Sequence, residues 1–207
     1  MKDIKKNEKS LDQYGQIPKV VYQVMDAVLK VFQLKDPYTA AHQKKVALLS
    51  SAIAKEMNLS EGQIESIYIA AMIHDIGKIS VPSEILSKPD SINEAEYTLI
   101  KNHPEIAFET LKDIESPWQT TEIIIQHHER LDGSGYPFGL TNEDIIVEAK
   151  ILGVADVIEA MSSHRPYRPS LGIDHALEEI VKNKGKLYDP KVVDACVSVF
   201  NEKNFNF

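Results

Sequence analysis

The stretch "IESIYIAAMIHDIGKI", residues 64 to 79, sets the reading of the whole chain. Its apolar residues crowd into a run that does not alternate with a period of two, so it reads as a buried helix and not as a half-exposed strand. Ser60 and Gln63 stand just ahead of it in the pattern of a capping box. The run stops at His74 and Asp75. Two ionisable groups ending a buried helix would cost several kcal/mol if left unpaired, so a metal ion or a full set of hydrogen bonds is expected around them.

The same helical period recurs on both sides. "IPKVVYQVMDAVLKVFQL" places Val20, Val21, Val24, Val28, Val31 and Phe32 near one stripe and predicts a helix over 18–34. Asp36 ahead of Pro37 is a start signal for "DPYTAAHQKKVALLSSAIAKEMNL". Asn93 and Glu96 repeat the capping box before "YTLIKN", and Pro117 opens "WQTTEIIIQHH". Three later segments, "NEDIIVEAKILGVADVIEAMSS", "IDHALEEIVKNK" and "DPKVVDACVSVFNEK", carry the three-to-four residue spacing as well. No stretch shows sustained alternation with hairpin turns, so the predicted fold is all-α, a single helical bundle. Residues 1–17 read as a flexible N-terminal tail and 18–207 as one domain. Residues 79–92 and 129–142 are the two long irregular segments, and loops of that length in a compact domain usually serve function.

Lys plus Arg is 23 and Asp plus Glu is 31, a net charge of −8. That balance argues against broad binding to nucleic acid polymers or to an anionic membrane, and an anionic substrate would need a local cationic site. The longest apolar run, "IYIAAMI" at 67–73, is far short of the ~20 residues that span a bilayer. No apolar segment follows the charged start "MKDIKKNEKSLD", so no signal peptide is visible and a cytoplasmic location is expected. The single cysteine, Cys196 in "VVDACVSVF", reads as a small core residue.

Seven histidines remain: His42, His74, His103, His127, His128, His164 and His175. His127 and His128 end "IIIQ" much as His74 ends its own helix. Adjacent helical residues point about 100° apart, so such a pair converges only at a helix end or across two nearby metals. Asp156, in "ILGVADVIEAM", is a further carboxylate in an apolar stripe. Helical bundles build dinuclear metal sites from such inward-facing side chains. Imidazole and carboxylate without thiolate suit Fe, Mn, Zn, Ni or Co, and a bridging carboxylate fits two ions about 3.5 to 4 Å apart; spacing alone does not choose the metal.

These residues also carry a family signature. "HDIGKI" at 74–79, with "HHERLDGSGYP" at 127–137, resembles the HD-GYP subgroup of the HD-domain phosphohydrolases, whose known members hydrolyse cyclic di-GMP. The resemblance extends through "DPYTAAH", "KNHPEIAFETL", "VADVIEAMSSHRPYRPSL" and "LYDPKVVDA", and covers the chain from about residue 20 onward. It implies an HD-type bundle with an HD-GYP C-terminal helical extension. It further implies that His42, His74, Asp75 and Asp156 hold one metal, with Asp75 bridging to a second that His103, His127 and His128 complete. Lys78 matches a lysine that contacts a substrate phosphate, and Arg165 and Arg168 match basic positions that meet the cyclic dinucleotide. Asp75 and Lys78 are thus the expected catalytic groups, and two divalent ions, Fe or Mn, the expected cofactors. A hydroxide held between the ions would attack phosphorus, giving pGpG, GMP or both. Some members carry a glutamate four residues before the first histidine that helps to bind a third metal; Tyr38 stands there in this chain, so two metals are expected, not three.

Other expectations follow from the same comparison. His164 and His175 match no ligand position and belong to the surface. Gly133 and Gly135 would permit backbone angles that other residues resist, Pro137 would stiffen the loop, and Glu129 and Asp132 would organise it. For Tyr136, structural, substrate-facing and docking roles all stand open. With fewer than 20 residues ahead of the first helix, no fused sensory domain is expected. The "GSGYP" loop is also a candidate surface for diguanylate cyclases or other signalling proteins. The alternatives are hydrolysis of another cyclic dinucleotide, a nucleotide or a phosphomonoester, and a non-catalytic signalling module.

Overall fold

The computed structural model of the chain describes residues 18–36, 39–88, 90–164, 170–203, 205 and 207. The expected tail at 1–17, together with Tyr38, Arg165 and Arg168, lies outside the described residues. Among the described residues ten α-helices follow in order: α1 Lys19–Gln33, α2 Thr39–Glu56, α3 Glu61–Ile73, α4 Ser83–Leu86, α5 Glu94–Lys101, α6 His103–Leu111, α7 Thr120–Gln126, α8 Val147–Ser162, α9 Ile173–Lys182 and α10 Pro190–Asn201, with a 3₁₀ turn at Ile76–Ser80 between α3 and α4. Among the described residues there is no strand, only isolated bridges such as Asp132 to Thr141.

The centre of the bundle is α3. Every residue from Ser66 to Met72 is buried, as expected of a helix that is apolar all round. It packs against α2, α7 and α8, while α9 and α10 close the far side of α8 and α2. Leu49 and Ile53 of α2, Ile67 and Met72 of α3, Ile123 and Ile124 of α7, and Ile151, Leu152 and Ile158 of α8 form one continuous core. Both expected capping boxes are present: Ser60 with Gln63 at α3, and Asn93 with Glu96 at α5. Asp189 caps α10, its carboxylate accepting from the amides of Lys191 and Val192. Cys196 is fully buried in the core, and burial pushes its thiol up to about 12.

Several boundaries and one face differ from the sequence reading. Helix α1 forms, but the stripe turned to the core is Met25, Leu29 and Phe32, while Val20, Val24 and Val31 are mostly exposed and Val28 lies at the surface. The helix carries two apolar stripes about 100° apart, and the longer side chains took the core. Residues 79–92 are less irregular than expected, since the 3₁₀ turn and the one-turn α4 fall in or beside them. Helix α7 begins at Thr120 and not at Pro117: Trp118 donates its indole N–H to Glu65 at 3.1 Å, which holds this approach as a turn. Helix α8 begins at Val147, because the Ile146 amide donates to the side chain of Gln126 at 3.0 Å. No helix of the described residues is long and apolar enough to cross a membrane.

Candidate metal centre

The site is made by helix ends. His74 caps the C-terminus of α3, His127 that of α7, and His103 begins α6 directly after α5 ends at Lys101. The last carbonyls of a helix lack intrahelical partners. Each of these imidazoles uses one of them: Nδ1 of His74 meets the Ala71 carbonyl at 2.8 Å, His103 that of Ile100 at 2.7 Å, and His127 that of Ile124 at 2.5 Å. A ring nitrogen facing a carbonyl must carry the proton, so the opposite nitrogen, Nε2, is left as a bare lone pair. All three Nε2 atoms are buried without a hydrogen-bond partner, and so is Oδ1 of Asp75.

These orphaned atoms point at one another. Asp75 Oδ1 lies 3.6 Å from His74 Nε2 and 3.4 Å from His103 Nε2, while its Oδ2 lies 3.8 Å from His42 Nε2. Asp156 Oδ1 lies 3.1 Å from His42 Nε2 and 3.8 Å from His74 Nε2. The imidazoles form a contiguous cluster, with ring centroids 5.3 Å apart for His42 and His74, 5.1 Å for His74 and His127, and 3.9 Å for His127 and His128. Ligand atoms within 4.8 Å of one another occur in three sets: His103 with His127 and His128, His42 with His74 and Asp75, and His74 with His127 and Asp156. The fold thus brings all seven expected ligand residues together.

The electrostatics of this cluster suit a bound cation. Burial pushes His74, His127 and His128 below their ordinary range, and His103 to about 4, so the rings are neutral. Burial would raise the Asp75 carboxyl, but the Lys78 ammonium 2.8 Å away heads the charges that outweigh it and hold that group well below the carboxylate range. Burial is likewise outweighed at Asp156, first by the His42 ring 3.1 Å away. Neutral nitrogen lone pairs of His74 and His103 then face anionic oxygens at 3.4 to 3.8 Å, acceptor against acceptor. Divalent cations among them would satisfy every one of these atoms, and nitrogen with oxygen donors suits first-row metals.

The surroundings are fitted closely. Gly77 lets the 3₁₀ turn approach α6: a Cβ there would lie 2.0 Å from the His103 carbonyl oxygen. Lys78 on that turn pairs with Asp75 Oδ2 at 2.8 Å. Gly135 serves the "GSGYP" loop by contact and not by an unusual backbone angle, since a Cβ would meet the backbone of His128, Glu129 and Arg130 at 2.4 to 2.5 Å. Gly133 does have a positive φ of 77°. Glu129, buried, accepts from the amides of Phe138 at 2.7 Å and Leu140 at 2.9 Å, and Asp132 accepts from the Ser134 amide and hydroxyl, so both organise the loop. A cleft of about 400 Å³ lies over His128 and Asp156, with Tyr97, Tyr136 and Met161 in its walls. His164 and His175 are exposed.

One site residue was missed by sequence reasoning. Glu159 of α8 is 2% exposed, and its Oε2 hydrogen-bonds to His42 Nδ1. The signal was its place one helical turn after Asp156 in "ADVIEAM", a second carboxylate on the same buried stripe.

A bundle whose helix ends present a His-Asp pair and further histidines to one centre is the arrangement of an HD domain. The chain belongs to the HD domain family, whose profile matches residues 26–192, and the HD-GYP resemblance stands. It is 39% identical over 184 residues to a cyclic di-GMP phosphodiesterase of Thermotoga maritima, covering 88% of this chain and 50% of that protein. It is 37% identical over 175 residues to the cyclic di-GMP phosphodiesterase response regulator RpfG of Xanthomonas campestris pv. campestris, covering 84% and 46%. Among solved structures, a cyclic GMP-AMP specific phosphodiesterase of V. cholerae superposes with a TM-score of 0.59 at 28% identity, covering 92% of this chain and 44% of that one. The chain spans about half the length of these curated relatives.

Proposed function

We propose that this domain is a metal-dependent phosphodiesterase that opens cyclic di-GMP to pGpG, GMP or both. The observation that carries the reading is the row of buried, unpartnered Nε2 and Oδ1 atoms on His74, His103, His127 and Asp75. An apolar protein interior does not keep such atoms unless a ligand satisfies them. The names of the similar proteins from Thermotoga maritima and Xanthomonas campestris support cyclic di-GMP as substrate.

In this reading His42, His74, Asp75 and Asp156 hold one ion and His103, His127 and His128 the other. Asp75 serves both, because its Oδ1 faces His74 and His103 while its Oδ2 faces His42. Two divalent ions held there, Fe or Mn, would supply Lewis-acid activation of a water and of the phosphate. Lys78 pairs with Asp75, and with cations held at that carboxylate its ammonium would be available to a substrate phosphate. Arg165 and Arg168 enter the proposal from the family resemblance alone, as further phosphate contacts. Tyr97 and Tyr136 line the cleft, and aromatic rings at its wall suit a base.

The cyclic GMP-AMP specificity of the V. cholerae neighbour makes a mixed cyclic dinucleotide the second reading. The experiment is hydrolysis of cyclic di-GMP and of cyclic GMP-AMP by protein purified without oxygen, with metal content determined on the same sample and products separated by chromatography. Turnover of cyclic di-GMP with about two metals per chain is expected. Preference for the mixed dinucleotide would select the second reading. Bound metal with no turnover of either would replace both with a signalling module, for which the "GSGYP" loop is the partner surface.

A further inference from the structure

The buried imidazoles of the cluster are not anchored alike. His74, His103 and His127 each use a carbonyl three residues back in the last turn of a helix, in α3, α5 and α7. His42 has no such carbonyl available. It stands in the first turn of α2, which runs Thr39–Glu56, and the carbonyls of a first turn are bonded forward into the helix. Its Nδ1 meets Glu159 Oε2 instead, from α8, 117 residues away in sequence.

The geometry around Glu159 is that of a built partner. Its other oxygen, Oε1, accepts from the Ser163 hydroxyl at 2.6 Å and lies 3.6 Å from the Lys45 ammonium, which itself donates to Ser163 Oγ at 3.1 Å. Asp156, one turn earlier on α8, faces the opposite nitrogen of the same ring at 3.1 Å. One face of α8 therefore holds both sides of His42: a carboxylate at Nδ1, and a carboxylate beside the Nε2 that points to the cluster. A carboxylate accepting from Nδ1–H fixes the tautomer and makes Nε2 a stronger donor than a carbonyl would.

We propose that Glu159 is a positioning residue that holds His42 in the Nδ1–H form, so that the metal position of His42, His74, Asp75 and Asp156 depends on a carboxylate anchor that the position of His103, His127 and His128 lacks. The inference rests on the two-metal reading above. It assigns to the two positions different sensitivities to one substitution.

The test uses the metal-free full chain, titrated without oxygen with Mn(II) or Co(II) against a competing chelator. Glu159→Gln keeps the shape of the side chain and removes its charge. The expected result is two metal equivalents in the wild type, with the affinity of one lowered about 10- to 100-fold in the variant and the other unchanged. A general loss of packing would weaken both positions together, so equal weakening of both overturns the proposal. Wild-type affinities retained at both positions overturn it while leaving the metal centre standing. No metal bound by the wild type overturns the metal centre and the proposal with it. Nitrogen spectra of ¹⁵N-histidine protein give a second, independent measurement, with His42 identified by its loss in His42→Gln. A ring protonated at Nδ1 in the wild type, and released from that form in Glu159→Leu, is expected; a wild-type His42 protonated at Nε2 instead overturns the proposal even if neither Glu159 variant folds.

Discussion

Tyr136 stacks on the imidazole of His128, with ring centroids 4.6 Å apart and planes inclined by 25°. The stack joins the "GSGYP" loop to the end of the metal cluster, and the Tyr136 amide donates to the His128 carbonyl at 3.3 Å. His128 is one residue beyond the α7 cap at His127, where no helix fixes its ring. The loop therefore supplies the orientation that the helix does not. Burial pushes the Tyr136 phenol well up, so it stays protonated. Tyr136→Phe should keep stability and metal content within measurement error, whereas Tyr136→Ala should cost about 2 kcal/mol and lower metal occupancy. Denaturant melts with metal analysis decide it; full occupancy in Tyr136→Ala would show that His128 is held by other means.

In the proposed reading, Asp75 and Lys78 separate metal binding from substrate handling. Asp75→Ala should abolish metal loading and hydrolysis together with helix content nearly intact, because this carboxylate faces nitrogens in both halves of the cluster. Lys78→Met should leave metal content unchanged and lower kcat/KM about 100-fold, the effect of losing one charged contact to a phosphate. Activity surviving in Asp75→Ala would remove the shared-carboxylate mechanism.

Gly77 makes a steric prediction. A methyl group there would meet the His103 carbonyl oxygen at 2.0 Å and the Ala107 amide nitrogen at 2.9 Å, both backbone atoms that cannot swing away. Gly77→Ala should therefore destabilise the domain by about 3 kcal/mol or displace the 3₁₀ turn that carries Lys78. A variant as stable and as active as the wild type would mean that the turn and α6 are farther apart than this structure places them.

Acid should unfold the metal-free protein earlier than its surface charges would suggest. His103 titrates near 6.5 when unfolded and at about 4 when buried, so between these values the unfolded chain binds more protons. The stability is complete above pH 6.5 and is lost as pH falls toward 4, on the order of 3 kcal/mol from this residue. His74, His127 and His128 shift in the same direction. Asp75 and Asp156 are held below 3.8 and act only at lower pH. Thermal melts of chelated protein from pH 7.5 to 4.5 should show a steep fall in Tm, and metal should flatten it; a flat profile without metal would contradict neutral buried rings.

Much of this was open to inspection before any coordinates. The helices could be read because their signals are local: a capping box at Ser60 and another at Asn93, and an apolar run from Ile67 to Ile73. His74, Asp75, His127, His128 and Asp156 were legible because an ionisable group in an apolar run is costly wherever it occurs, whereas His42 and His103 entered only through the family resemblance. The orientation of α1 was not, since Val20, Val24, Val28 and Val31 and the trio Met25, Leu29 and Phe32 offer two apolar stripes and only the neighbours α2 and α3 select between them.

By itself, then, the sequence determined the helical class and the caps, which follow from spacing along one chain, while the histidines and aspartates that gather were named in full only by the family resemblance. Only the tertiary structure decided which atom of each group faces which. Glu159 reaches His42 across 117 residues, Gly77 and Gly135 are required by backbones that approach from elsewhere, and Lys78 turns toward Asp75. The reason is physical: burial and lone-pair direction are set by the packing of several helix ends at once, and no local pattern carries that information.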